Sequence, residues 1–481
     1  MLHALACIAR ACALALAHNQ LFFDYTERLR MDVVIEPHRL KGTLRAISSK
    51  SHAHRLLILA GMSDGIVDLN CPTTSEDIEA TADCLRALGA RITRTTSGYR
   101  VCGRGYGKAN AASDMSAQTS ASAQTTDISN APLLNARESG STLRFLLPVV
   151  ATLPFSCYFL GRGRLSERPL EPLYSELTRH KVVLSPEGSF PLECKGPLQA
   201  GYFELPGNVS SQFISGLLMA APFMQDELTI DVTHPFQSKS YVNITIDALN
   251  TFGISVEESE YTKDDHVITR YRVPAQTLVP PREAIDVEGD WSNASFWLCA
   301  SAISPAITLS GLSRNSFQGD RNILACLCGF GAKTICSQKE TSAEARVLSP
   351  TTLSLADIVD LAPPLAGLAC FAKGRTTLKD AHRLALKESN RILSISRALT
   401  QMGAQITSDA DAIYIDGTGS LRGGCEVDAQ GDHRIAMMTA ICAAYAQNPT
   451  TILGADCVNK SYPGFFDDFI SLGGYMHMKE D

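Results

Sequence analysis

Cys84-Leu85-Arg86-Ala87-Leu88-Gly89-Ala90-Arg91-Ile92 reads as the end of an amphipathic helix, a glycine stop and the start of a strand. The glycine has a mechanical task, because the residue after a helix commonly takes φ > 0, which costs glycine little. The same pattern returns at Ala248–Val256 (around Gly253), Cys328–Ile335 (Gly331), Leu399–Ile406 (Gly403) and Ile470–Tyr475 (Gly473). A degenerate copy without the glycine sits at Leu177–Leu184, with Lys181 in its place. Successive copies lie roughly 70–90 residues apart, which predicts six copies of one α/β unit. Units of that size are too large for a solenoid. Three per domain gives an α/β (α+β) chain of two similar domains with a cleft between them.

Length and composition agree. A chain of 481 residues exceeds what one core organises, and 45% hydrophobic with 19% charged residues is ordinary globular composition. A net charge of -7 with no long Lys/Arg run argues against nucleic acid as a partner. The 15 cysteines form no paired CxxC motifs with matching ligands, so no zinc site is expected and the thiols read as reduced, in a cytoplasmic protein. Residues 1–30 are Ala/Leu-rich but interrupted by Arg10, His18 and Asp24, too broken to span a bilayer. They read as an extension that is disordered or precedes the true start at Met31. Residues 108–130, rich in Ala, Ser, Thr, Gln and Asn, read as a disordered surface insertion.

Helix starts carry the chemistry. Ser48-Ser49-Lys50-Ser51-His52-Ala53-His54-Arg55 runs into the apolar Leu56–Ala60, and Glu138-Ser139-Gly140-Ser141-Thr142-Leu143-Arg144 repeats the arrangement. Hydroxyls, free backbone N–H groups and a cation at a helix N-terminus favour a bound anion. Arg162, Arg164 and Arg168 crowd one glycine-containing stretch, suiting a phosphate or carboxylate. Ser210-Ser211-Gln212-Phe213, Ser238-Lys239-Ser240-Tyr241, Lys387-Glu388-Ser389-Asn390-Arg391, Asp432-His433-Arg434 and Asn459-Lys460-Ser461 continue the series. Singly, each is more often a solvated helix start than a site. Their recurrence in a net-acidic chain points to anion binding, because only a local cluster can focus a field against the overall charge.

Taken in order from Met31 to the C-terminus, these motifs, with Glu167-Arg168-Pro169 and Glu288-Gly289-Asp290, closely resemble the EPSP synthase family, the 3-phosphoshikimate 1-carboxyvinyltransferases of the shikimate pathway. The resemblance implies two domains, each of three βαβαββ units, joined by two crossover strands. The boundaries expected are 31–49 plus 289–481 for the first domain and 50–288 for the second. The implied reaction moves the enolpyruvyl group of phosphoenolpyruvate to the 5-hydroxyl of shikimate 3-phosphate, without metal or cofactor, in a monomer with no membrane partner. By motif, Lys50 would touch both substrates, with Ser51, Arg55 and Tyr241 on the shikimate moiety. Ser210, Ser211, Ser238 and Lys387 would take the 3-phosphate, and Gln212 would face both ligands. Gly140, Arg168, Arg391, Arg434 and Lys460 would hold phosphoenolpyruvate. Asp360 would serve as base to the 5-hydroxyl and Glu388 as the acid at the methylene carbon. Several cations are needed because two polyanions must lie side by side.

Three departures from the family pattern stand out. Asn390 replaces the usual aspartate, which predicts an orienting partner lost to Arg391. Ile47-Ser48 replaces a common Pro-Gly, and Glu138 stands where asparagine is frequent. Two rival readings are a UDP-N-acetylglucosamine enolpyruvyl transferase and an inactive anion-binding relative. The first lacks its reactive loop cysteine around Arg162–Arg168, and the joint presence of Lys50, Asp360, Glu388 and Lys460 weighs against the second.

Overall fold

The computed structural model describes residues 31–106, 131–304, 306–337, 339–344 and 347–480. The N-terminal extension and the 108–130 insertion lie outside the described residues. Six four-stranded sheets share one topology. In the sheet nearest the insertion, Leu133–Asn135 runs parallel to Ser156–Leu160, which pairs antiparallel with Leu192–Lys195, itself antiparallel to the edge strand Val183–Leu184. The other five repeat this order.

The strand that follows each helix stop forms the same edge of its sheet every time: Arg91–Arg94, Val183–Leu184, Glu257–Lys263, Lys333–Cys336, Gln405–Ser408 and Tyr475–Met478. Gly89, Gly253, Gly331, Gly403 and Gly473 all have positive φ, between 76° and 97°. Lys181, at the degenerate copy, takes φ 73° as well. The turn geometry persists where the glycine does not, at the cost of some local strain.

Three sheets are completed by strands distant in sequence. Val33–Glu36 inserts between Thr450–Leu453 and Tyr475–Met478. Gly42–Arg45 lies parallel to Ile307–Ser310, and Ile285–Asp286 lies parallel to Ile66–Asn70. Strands that precede residue 46 therefore share sheets with strands that follow residue 306, on either side of the intervening segment. Buried apolar side chains form two clusters, one containing Val33–Ile47 and Trp291–Leu472, the other running from Ala53 to Val287. Between them the two crossing segments run side by side: Ser48 bridges Gly289, Ser49 N–H donates to Glu288 O (2.7 Å), and Asp290 N–H donates to Ile47 O (2.8 Å). Ser48 is tied further to Thr73, whose Oγ1 accepts its N–H at 2.6 Å.

Each domain is filled by three helices that are buried nearly all round and, beyond their first turns, mostly apolar, as helices without a solvent face must be. In the second domain these are α1 (Lys50–Met62), α2 (Gly140–Ala151) and α3 (Ser211–Ala220). In the first domain they are α4 (Trp291–Ile303), α5 (Ala362–Ala369) and α6 (His433–Ala444). Gly216 allows α3 to meet α2 closely, since a Cβ there would lie 2.5 Å from Arg144 O. Among the described residues no helix is long and apolar enough to cross a membrane.

Candidate active site in the interdomain cleft

A helix with no solvent face still has four unpaired N–H groups at its start, and these need partners. The second-domain core helices use neutral caps. Ser49 Oγ accepts from His52 N–H (3.4 Å), Ser139 Oγ from Thr142 N–H (3.2 Å) and Ser210 Oγ from Gln212 N–H (3.3 Å), and none has an acid in its first turn. In the first domain α4 and α6 are capped by carboxylates, Asp290 accepting from Asn293 N–H (2.7 Å) and Asp432 from Arg434 N–H (3.0 Å). Asp290 also accepts the N–H of Lys50 at 3.1 Å, so one carboxylate ties the starts of α1 and α4 across the cleft. The N-terminus of α1 thus already meets a carboxylate, whereas the neutral-capped N-termini of α2 and α3 keep their positive ends available for an anion.

These helix starts line one cavity between the domains, together with Asp360, Arg383, Lys387 and Glu388. Eight cationic side chains and four carboxylates face it, in a chain whose net charge is -7. Every residue given a ligand or catalytic role by motif lines this cavity except Lys460. Lys460 is buried nearby, its Nζ 3.3 Å from Glu138 Oε2.

The charges form a network. Lys50 Nζ lies 2.8 Å from Asp77 Oδ2. Burial alone would raise Asp77, but Lys50 and Lys460 outweigh it and hold the carboxyl below its usual range. Asp360 Oδ1 meets Lys387 Nζ at 3.1 Å and Arg391 Nη1 at 2.7 Å, with Arg434 Nη2 3.8 Å from Oδ2. Burial opposes its charge, yet Lys387, Arg434 and Arg391 keep it well below the carboxylate range. Glu388 Oε2 lies 2.6 Å from Arg391 Nη2 and Oε1 lies 3.8 Å from Arg168 Nη1. Against the burial penalty, Arg391, Arg168 and Lys460 hold it well below its ordinary value. Both carboxyl groups are ionised at rest.

Arg55 is a brace rather than an open cation. Nε donates to Thr245 Oγ1 (2.6 Å), Nη1 to Ser51 O (2.7 Å) and Nη2 to Tyr241 O (2.9 Å), and burial brings its pKa down to about 9. Gln212 Nε2 donates to Ser141 Oγ at 2.9 Å, joining the starts of α2 and α3. Tyr241 donates to Asp320 Oδ2 at 3.2 Å. Asp320, pushed up to about 6 by burial and by Asp360, also bonds Ser292. Gly140 packs on Arg168: a Cβ there would sit 2.6 Å from Arg168 Nη1.

A model of the EPSP synthase (3-phosphoshikimate 1-carboxyvinyltransferase) family matches residues 34–469. The chain belongs to the EPSP synthase family. The 3-phosphoshikimate 1-carboxyvinyltransferase of Clostridium kluyveri is 37% identical over 445 residues, covering 92% of this chain and 97% of that protein. The protein of the same name from Clostridium perfringens (strain SM101) is 34% identical over 446 residues, covering 92% and 99%. Among solved structures, EPSP synthase from Acinetobacter baumannii aligns with TM-score 0.71 at 23% identity, covering 94% of this chain and all of that one. The enolpyruvyl transferase NikO from Streptomyces tendae aligns with TM-score 0.70 at 16% identity, covering 93% and 98%. Both have the same fold.

The departures from the EPSP synthase pattern look different in three dimensions. Arg391 does not lack an orienting partner: Asp432 Oδ2 lies 2.8 Å from its Nε, and Asp360 and Glu388 take its other nitrogens. Asn390 instead caps its own helix, Arg391–Gln401, accepting from Leu393 N–H. Glu138 reaches across the cleft to Lys460. Of the arginine cluster only Arg168 faces the cavity; Arg162 pairs with Glu76 (3.6 Å) and Arg164 with Glu167 (2.8 Å), both half-exposed. Asp77, Arg144 and Arg383 were not expected in the cleft. Asp77 carried a faint signal as an acid in a serine-capped first turn, and Arg144 closed a motif already singled out. Arg383 carried none.

Proposed function

We infer that the cleft transfers the enolpyruvyl group of phosphoenolpyruvate to the 5-hydroxyl of shikimate 3-phosphate and releases phosphate. The observation that carries this reading is the asymmetry of the two walls. Two neutral-capped helix N-termini on the second domain, those of α2 and α3, suit an anionic acceptor, and two ionised carboxylates on the first, Asp360 and Glu388, suit proton transfer. In this reading Ser210, Ser211 and Ser238, with Lys387, hold the 3-phosphate, while Ser51, Arg55 and Tyr241 shape the place of the shikimate ring. Lys50 and Gln212 lie between the ligands. Arg168, Arg391, Arg434 and Lys460 take phosphoenolpyruvate beside Gly140.

The resting ion pairs explain how a well-ionised carboxylate becomes reactive. Substrate phosphates and the phosphoenolpyruvate carboxylate compete for Arg391, Arg168, Lys387 and Arg434. Each cation drawn away from Asp360 or Glu388 raises that group's proton affinity. Asp360 then accepts the 5-hydroxyl proton as its oxygen bonds C2 of phosphoenolpyruvate, and Glu388 delivers a proton to C3. In the second step the C2–O bond to phosphate breaks and C3 returns a proton. Excluding water makes each of these electrostatic effects larger.

The two apolar clusters favour domains of 31–49 plus 289–481 and 50–288, hinged where the crossing segments pair. The described cysteines are all free thiols, which fits a cytoplasmic protein. Phosphate release from shikimate 3-phosphate and phosphoenolpyruvate by purified protein tests the reading. Release with UDP-N-acetylglucosamine as acceptor, and none with shikimate 3-phosphate, would replace it.

A further inference from the structure

Most cations facing the cleft already have a carboxylate within 4.0 Å: Lys50, Lys387, Arg391, Arg434 and Arg168 each form an ion pair. Among the described residues, Arg55, Arg144 and Arg383 do not. A buried guanidinium without a counter-charge is costly unless its donors are used or a ligand supplies the charge. Arg55 spends its donors on Thr245, Ser51, Ser215 and Tyr241, and Arg144 spends two on Gln212 and Pro169.

Arg383 differs. It sits on the short turn His382–Leu386 of the first domain, and its Nη1 donates to Ala356 O (3.3 Å) and, across the cleft, to Ser238 Oγ (2.9 Å). Its Nε and Nη2 meet no protein acceptor among the described residues. Burial draws its pKa down even with Asp360 and Asp357 nearby, as expected of a charge not compensated by direct contact. Ser238 is unusual as well. It is a non-glycine residue at φ 57°, and its hydroxyl does not cap the helix it begins, Lys239–Thr251. Its N–H donates to Asp357 Oδ1 at 2.7 Å, which holds the strained residue so that its hydroxyl faces Arg383.

Resting on the function proposed above, we propose that Arg383 is the residue that selects a phosphorylated acceptor. Its free guanidinium edge meets the phosphate that Ser210, Ser211 and Ser238 hold from the opposite domain. Ser238 thus acts from one wall and Arg383 from the other, so the 3-phosphate is gripped fully only when the domains are together. The bare alcohol, shikimate, leaves Arg383 without its counter-charge and is bound less well.

The test is calorimetric binding of shikimate 3-phosphate and of shikimate to wild type, Arg383→Gln and Arg383→Lys, followed by kcat/KM for both acceptors. Loss of a charge-assisted contact predicts that Arg383→Gln weakens shikimate 3-phosphate roughly 10- to 100-fold. Shikimate affinity should change less than about threefold, and Arg383→Lys should regain part of the discrimination. Equal losses for both acceptors would make Arg383 a structural brace and overturn the assignment, as would unchanged discrimination in Arg383→Gln. Wild-type protein that binds neither acceptor would overturn the function itself, and this assignment with it.

Discussion

Removing Lys50 perturbs folding and chemistry together, and the structure shows how to separate them. Lys50 Nζ is 2.8 Å from Asp77 Oδ2, with side-chain exposures of 16% and 7%. Lys50→Met leaves a buried carboxylate without its main partner, a change that costs about 3 kcal/mol of stability. The figure belongs at the low end of that class because Lys460 still acts on Asp77. Catalysis should suffer separately, since Lys50 would touch both anions in the ground and transition states. A lost charge-assisted contact in a water-poor site lowers kcat/KM about 10²- to 10³-fold. The double variant Lys50→Met/Asp77→Asn removes the orphaned charge, so its urea midpoint should return most of the way to wild type while phosphate release stays low. Recovery of turnover in the double variant would mean Lys50 serves only to neutralise Asp77. Near-normal turnover in the single variant would remove Lys50 from the site altogether.

Two further predictions concern the pocket wall and the pH dependence of stability. Gly140→Ala places a methyl carbon 2.6 Å from Arg168 Nη1, so that guanidinium must shift; steady-state kinetics should show KM for phosphoenolpyruvate raised more than KM for shikimate 3-phosphate, and equal changes would place the loop elsewhere. Burial lowers His52 to about 4 and His54 to about 3, so below pH 6.5 the unfolded chain takes up protons that the folded chain refuses. Stability present above 6.5 is therefore lost on acidification, by about 4 kcal/mol for the pair at pH 5. His54→Gln should shallow that fall in urea midpoints between pH 6.5 and 5, and an unchanged slope would refute the linkage.

Much of the architecture was legible because it repeats. The helix stops at Gly89, Gly253, Gly331, Gly403 and Gly473 marked the edge strand of five sheets, and Lys181 marked the sixth without the residue that normally advertises such a turn. The exchange of strands between distant parts of the chain was not legible from local pattern. Nothing near Val33–Glu36 says that it will lie between strands more than 400 residues away, because sheet pairing depends on which edges remain open once the helices pack. The site divides in the same way. Serines at helix starts and the basic motifs advertise themselves, since capping and charge are local properties. The ion-pair partners do not: Asp77 is 27 residues from Lys50 and Asp432 is 41 from Arg391, and only folding brings them together. That is why Asn390 seemed to rob Arg391 of a partner, and why Arg383 escaped notice.

The central claim is that Asp360 and Glu388 divide the proton transfers, Glu388 working at carbon and Asp360 at oxygen. Glu388 rests ionised beside Arg391 and Arg168, so it must gain a proton when substrate anions engage those cations, pass it to C3 of phosphoenolpyruvate and later take one back. In heavy water, reversible cycling then washes deuterium into that carbon. Glu388→Gln keeps size and hydrogen bonding but cannot exchange a proton, whereas Asp360→Ala removes the partner of the acceptor hydroxyl and should weaken acceptor binding as well as stop turnover. The most direct measurement is the rate of deuterium incorporation into the methylene group of phosphoenolpyruvate by wild type and Glu388→Gln, with shikimate 3-phosphate saturating both. Exchange should collapse in Glu388→Gln while shikimate 3-phosphate still binds; exchange at the wild-type rate would refute the role of Glu388 and move the acid to Lys50 or Lys460.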